Sequence, residues 1–414
     1  MEMVDPASVG LDAGALARID HAVQADIDAG RHFGATLLVA RGGRVAHRAN
    51  LGTVAPGRPA ADDDKYLLMS MSKTYTAVLV LRAIDARRFD LSTRVSEVMP
   101  AFGAHGKTKA TVAQLLCHTA GLPTAPVAPP LPLTAMGQLT RHGDAINALK
   151  PVYAPGTRCA YTSGTGYDAL GQLLVDTDPK ARTFNQIAQQ ELFEPLGLSH
   201  TSFGLSTNDP LRVPVSFTPS ATTPASPRIA QIFNTCIDEN AAYPCAGAFA
   251  DLDDVLTWTE LLQGRGPSGF PVLSPALFDD ARQNHTGNMA LETMPVKGLP
   301  ALRQMVATLG LATMARMAIY ARKATSNAYD IPPYPANFTL LGGYTRGTGD
   351  YLTPAGRTAS PHALAAVGGG STGWMIDPDR DLTFIFLSAG LVEGFAHPQR
   401  LERYCDLAIA AIRD

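Results

Sequence analysis

Nothing in this sequence offers a polyanion a docking charge. Against 37 Asp and Glu stand 34 Lys and Arg, the formal net charge is −3, and no run of basic residues stands out. That balance argues against a nucleic-acid partner. Cysteine is scarce: Cys117, Cys159, Cys236, Cys245 and Cys405 are widely spaced and odd in number, with no Cys-x-x-Cys pair. Such a pattern suits reduced, buried thiols and speaks against a disulfide frame or a zinc site. The ten histidines are scattered and none forms His-x-x-x-His, so no metal site is predicted. No phosphate-binding glycine loop opens a helix, and the economical reading is catalysis without a cofactor. The N-terminal stretch MEMVDPASVG is acidic and lacks an apolar signal core, which makes the cytoplasm the expected compartment. A membrane span is not expected either: the longest Met-rich apolar stretch, residues 299–322, is too polar and interrupted.

What is present is apolar residue in quantity. A chain of 414 residues with 46% hydrophobic and 17% charged content can bury a large core, and it reads as a soluble globular protein of two lobes or one large domain. LDAGALARIDHAVQADIDAG has apolar residues at helical spacing and ends on Gly30, while ATLLVARGGRVAHRANLG reads as two strands around Gly42-Gly43. From Ser70 to Arg87 there is no Gly or Pro, and Tyr75, Val78, Leu79, Leu81 and Ile84 predict a largely buried helix.

Two serines compete for a chemical role. In GGGSTG, Gly369, Ser371 and Gly373 match the Gly-x-Ser-x-Gly pattern of a nucleophile elbow, and Asp377, Asp379, Asp381 and His397 follow in triad order. An elbow must open a helix, yet WMIDPDRDLTFIFLSAG reads as strand, turn, strand. The context therefore argues against Ser371. In SMSK, by contrast, Ser70 and Lys73 lie three residues apart on one helix face. A hydroxyl needs a neighbouring base to become a nucleophile, and a lysine among apolar residues can be driven toward its neutral form. The helix N-terminus adds partial positive charge beside the oxygen. Ser-x-x-Lys alone recurs by chance; here it is flanked by LLM and TYTAVLVL, which predict burial, and a buried lysine without a task is costly. In YTSGTGYDALGQLL, Tyr161 and Ser163 precede a helix through Tyr167, Leu170 and Leu173. On local pattern they read as a loop tyrosine and a helix-capping serine.

The ordered set of SMSK, TVAQLLCHTAGLP, PGTRCAYTSGTGYDALGQLL, ELFEPLGLSHTSFG, CAGAFADLDDVLTWTELLQG and VGGGSTGWMIDPDRDL resembles the serine β-lactamase superfamily. Within it the chain is most similar to the class C β-lactamase-like esterases, called family VIII carboxylesterases, and related acyltransferases. The resemblance runs from VGLDAGALARID to the last strand. It implies that Ser70 is acylated, that Lys73 activates it and that Tyr161 shares protons with Lys73 and the leaving group. It further implies that the strand ending in Gly369, Gly370 and Ser371 borders the nucleophile. A backbone N–H there, with Gly370 the candidate donor, would form the oxyanion hole with that of Ser70. Ser163 and Val367 are pocket candidates. The block holding His118 is mainly structural in this family.

Departures refine the expectation. Where lactamases and peptidases of this superfamily carry Lys or His on the strand, this chain has AVGGG; without a cation to hold a substrate carboxylate, neutral esters are favoured. Family blocks are lost between residues 286 and 345, where the Met-rich stretch 299–322 carries Arg303, Arg316 and Arg322. It reads as a core or packing helix, or else as a lid or acyl-binding wall. The expected fold is α/β and β-lactamase/penicillin-binding-protein-like. An antiparallel sheet flanked by helices would be built from residues 1–84 and 206–414. A mostly helical lobe would occupy 85–205, and a variable insertion 286–345. The expected activity is hydrolysis of small or medium carboxylic esters. Acyl transfer to an alcohol or amine is the alternative, followed by amidase or weak β-lactamase activity and by a catalytically silent binding protein. The partner is a small-molecule ester, and the sequence leaves the oligomeric state open.

Overall fold

A computed structural model describes residues 3–219, 225–266, 272–292, 306, 311–324, 334–391 and 396–413. The predicted N-terminal helix is α1, Ala13–Asp28, capped by the Asp12 carboxylate, which accepts from the Ala15 N–H. The predicted hairpin follows as β1 (Gly34–Arg41) and β2 (Arg44–Ala55). Its two-residue link, Gly42-Gly43, has φ +59° and +71°, the left-handed pair that a tight hairpin turn requires. With β3 (Arg58–Pro59), β4 (Tyr344–Thr345), β5 (Leu364–Gly368), β6 (Thr372–Asp377) and β7 (Leu382–Ala389) these strands form one sheet, in the order β3-β2-β1-β7-β6-β5-β4. Every pairing is antiparallel, and β1 meets β7 from Gly34 opposite Ala389 to Arg41 opposite Leu382. Both ends of the chain thus build the sheet's centre.

All eight residues of β7 are buried, because helices cover both faces. Alternation along the strands divides the core. Leu37, Val39, Phe384 and Phe386 pack with Leu16, Ile19 and Val23 of α1 and with Leu401 and Tyr404 of the C-terminal helix, Ala396–Ile409. Leu38, Ile385 and Leu387 join the larger core that holds α2 (Ser72–Asp85), α3 (Thr165–Asp176) and α4 (Leu252–Leu262). The helix expected from Ser70 to Arg87 is therefore α-helical only from Ser72; Met69–Met71 form a tighter 3₁₀ turn before it.

The described part of the Met-rich stretch departs from the core reading. Residues 299–305 and 307–310 lie outside the described residues, while α5, Leu311–Ala324, is helical as expected. Its described side chains are exposed or half-buried, with Leu311 at 74% and Ile319 at 58% exposure. No helix among the described residues is long and apolar enough to cross a membrane. The C-terminal helix, α6 from here on, completes the fold.

Candidate active site

The site begins with a strained turn. Met69 sits at φ +49°, a conformation that a side-chain-bearing residue avoids and that concentrates at functional positions. It turns the chain so that Ser70 precedes α2 at the head of a cavity. The turn is anchored from two sides. The Leu68 N–H donates to Ala248 O at 2.8 Å, and the Ala248 N–H donates to Ser72 Oγ at 2.9 Å. Across from it, β5 passes so closely that a Cβ on Gly368 would lie 2.2 Å from Leu68 O and 2.2 Å from Thr372 Oγ1. Only glycine fits such an approach.

Lys73, one helical turn after Ser70, is 1% exposed. Its Nζ donates to Ser70 Oγ at 3.2 Å, to Ser163 O at 2.8 Å and to Cys245 O at 2.9 Å. Two backbone carbonyls thus hold the amine while its third contact is the serine hydroxyl. The Tyr161 hydroxyl donates to the same Ser70 Oγ at 2.7 Å, and Lys73 Nζ lies 5.1 Å from the centre of the Tyr161 ring. Two groups, one of them 91 positions away along the chain, converge on the Ser70 oxygen.

Tyr161 is braced from behind. The His118 ring packs against it at 4.6 Å and against Phe338 at 4.5 Å. His118 Nδ1 accepts from the Thr162 N–H at 3.2 Å. Complete burial, and then the nearby Lys73 charge, hold this imidazole well below the ordinary histidine range. Neutral and enclosed, His118 supports the tyrosine.

The cavity beyond Ser70 and Tyr161 has a volume of about 240 Å³. Val367 and Gly369 border it from the β5 edge, and Tyr334, Asn337, Tyr344 and Tyr351 form much of its wall. Among the described residues no charged side chain lines it. Arg346, next in sequence to the lining residue Thr345, is buried with its guanidinium 5.2 Å from the centre of the Tyr351 ring, and it donates to the carbonyls of Gly347 and Arg357.

Not every expected residue lines the cavity. Ser163 does not line this cavity; its carbonyl, not its hydroxyl, is what reaches Lys73. Gly370 also lies off the wall, against the nucleophile turn, where a Cβ would come to 3.1 Å from Leu67 O and from Met69 Cγ. Ser371 is fully buried at φ +67° in the turn between β5 and β6, so no helix opens there. Its supposed triad partners are occupied elsewhere: Asp377 binds Ser360 and Arg380, and His397 binds Thr372 O and Arg400. The elbow match fails on structure as on context. Among the α5 residues whose side chains are described, none lines the cavity.

The sequence reading missed the Cys245 carbonyl and the wall formed by Tyr334, Asn337, Tyr344 and Tyr351. A backbone acceptor has no side-chain signature, and Tyr334, Asn337 and Tyr344 fall within the segment 286–345 in which the family blocks are lost. All five cysteines are free thiols, and among the described residues no group of His, Cys, Asp or Glu is placed to hold a metal ion.

Comparison with known proteins agrees with this architecture. "Protein flp" of Staphylococcus aureus (strain N315) is 25% identical over 203 residues, which is 46% of this chain and 39% of that protein. The chain thus matches about two fifths of the length of that relative. Among solved structures, "EstCE1, a hydrolase with promiscuous acyltransferase activity" superposes with a TM-score of 0.70 at 21% identity, over 95% of this chain and 99% of that one. A family VIII carboxylesterase gives 0.69 at 17% identity, over 96% and 99%. These likenesses establish the β-lactamase/penicillin-binding-protein fold. The profile described as Beta-lactamase matches residues 19–406, and the chain belongs to that family within the serine β-lactamase superfamily.

Proposed function

We propose that this protein is a serine hydrolase that cleaves small or medium uncharged carboxylic esters through an acyl-enzyme on Ser70. One observation carries the reading: Ser70 Oγ lies 2.7 Å from the Tyr161 hydroxyl and 3.2 Å from Lys73 Nζ, at the head of a cavity with no charged side chain among its described lining residues. Proton removal by the Lys73 and Tyr161 pair frees Ser70 Oγ to attack the ester carbonyl. The developing oxyanion takes hydrogen bonds from the Ser70 N–H and from an N–H of the turn after β5, with Gly370 the candidate. Collapse of the tetrahedral intermediate breaks the bond to the alkoxy group, and Tyr161 returns the proton so that an alcohol leaves. Water then attacks the acyl-enzyme by the same route and releases the acid.

The described wall offers a substrate carboxylate no charged partner, and desolvating that charge opposes binding. This favours esters over penicillin-type substrates. The same acyl-enzyme can pass its acyl group to an alcohol or amine that outcompetes water; product analysis with added acceptor separates the two outcomes. Steady-state assays test the proposal. Turnover of p-nitrophenyl butyrate should exceed that of a chromogenic cephalosporin, and Ser70→Ala should lower ester turnover by at least about 10³-fold. Full turnover in that variant would overturn the assignment, and preferential cephalosporin turnover would overturn the substrate class.

A further inference from the structure

Arg400, in α6, is only 5% exposed. It lies in the layer that α1 and α6 form on the sheet, with its guanidinium 5.0 Å from the centre of the Phe386 ring. Among the described residues no carboxylate pairs with it; Asp26, whose field reaches it, is engaged by Arg31, Arg403 and the Tyr404 hydroxyl. A cation buried this way is costly unless its hydrogen bonds are well used. Those bonds go to His32 Nδ1 at 2.6 Å, His397 Nδ1 at 3.1 Å and Ser388 Oγ at 3.4 Å.

A guanidinium only donates, so all three partners accept. At His397 this places the ring proton on Nε2, which donates to Thr372 O at 2.9 Å. Burial and the Arg400 charge push His397 down to about 3, so the ring is neutral at pH 7 and holds this direction. The Ser388 hydroxyl in turn donates to Ser371 O at 2.8 Å. Two hydrogen-bonded paths therefore run from one cation to two consecutive carbonyls, directly after Gly369-Gly370. The turn they reach is conformationally unfavourable, with Ser371 at φ +67° and its N–H closing on Gly368 O at 3.0 Å.

We infer that Arg400 is a positioning residue for the oxyanion-binding turn, acting through His397 and Ser388 to hold residues 368–372 against the Ser70 turn. This rests on the reading of Ser70 as the acylated nucleophile and of that turn as its oxyanion partner. Neither Arg400 nor Ser388 lines the substrate cavity, so loss of the tether should reduce kcat and leave KM nearly unchanged.

The test uses the full chain with Ser388→Ala, Arg400→Met and Arg400→Lys. Active sites are counted by the extent of Ser70 phosphonylation, and kcat and KM are measured with p-nitrophenyl butyrate. Ser388→Ala and Arg400→Met should each lose about tenfold or more in kcat per titrated site, with KM within about twofold of wild type. Arg400→Lys, which keeps the charge, should recover part of the loss. If Arg400→Met does not fold, Ser388→Ala decides. An unchanged kcat per titrated site in Ser388→Ala, with wild-type Ser70 fully labelled, overturns the tether alone. Failure of wild-type Ser70 to label overturns the nucleophile reading, and the tether falls with it.

Discussion

At the scale of single residues, the site rests on how few bonds each group has to spare. Lys73 has two of its three contacts on backbone carbonyls, which leaves one for Ser70. Tyr161, fixed by the His118 ring, presents its hydroxyl to the same oxygen. Replacing Tyr161 by Phe removes that proton path without emptying the site. We expect kcat to fall by about 10²- to 10⁴-fold, while far-ultraviolet circular dichroism stays unchanged; a Tyr161→Phe enzyme with wild-type kcat would rule out the proton role. Ser70 and Lys73 were legible in the sequence because a three-residue helical spacing is a local geometric statement. Tyr161 was not legible in that way. Its local pattern fits a loop tyrosine, and only the ordered blocks of a resembling family pointed to it. Ser163 shows the opposite limit, since its contribution is a carbonyl that any residue type could supply.

At the scale of elements, catalytic geometry depends on two pieces of backbone that touch. The turn Met69–Met71 and the end of β5 approach so closely that Gly368 has no room for a Cβ beside Leu68 O. Gly368→Ala must push the strand from the nucleophile. A displacement of that kind should cost about tenfold or more in kcat, visible as slower acyl-enzyme formation in a stopped-flow burst. Unchanged burst kinetics would mean that the strand end does not set the site. The same region explains why a motif misled. GGGSTG carries the letters of an elbow, but β5 and β6 pair as a hairpin across it, and Ser371 ends up enclosed. Helix α5 was legible as a helix from its composition. Its surface position was not, because an apolar and Met-rich stretch carries no mark of which neighbour covers it.

At the scale of the whole molecule, the sheet was legible from its ends: the hairpin around Gly42-Gly43 and the run from Leu382 to Leu387, rich in β-branched and aromatic residues, are local signals. That β1 lies beside β7, uniting the two ends of the sequence, is a long-range pairing with no signal in either strand. The packed layers also set an acid limit. Burial holds His32 and His397 at about 3, and His118 well below 6.5, so these imidazoles are neutral when folded and take up protons once unfolded. Their stabilising effect is complete above the unfolded value near 6.5 and is lost as pH falls toward the folded values. The loss is about 2 kcal/mol for each of His32 and His397 at pH 5. Tm should therefore drop steeply between pH 7 and pH 5, and a flat profile would contradict the neutral assignment. The central claim, that the molecule works by acylating one serine, is tested most directly by intact mass. After brief exposure to a fluorophosphonate, wild type and Ser371→Ala should each gain one adduct, and Ser70→Ala none. An adduct that persists in Ser70→Ala and disappears in Ser371→Ala would contradict the account.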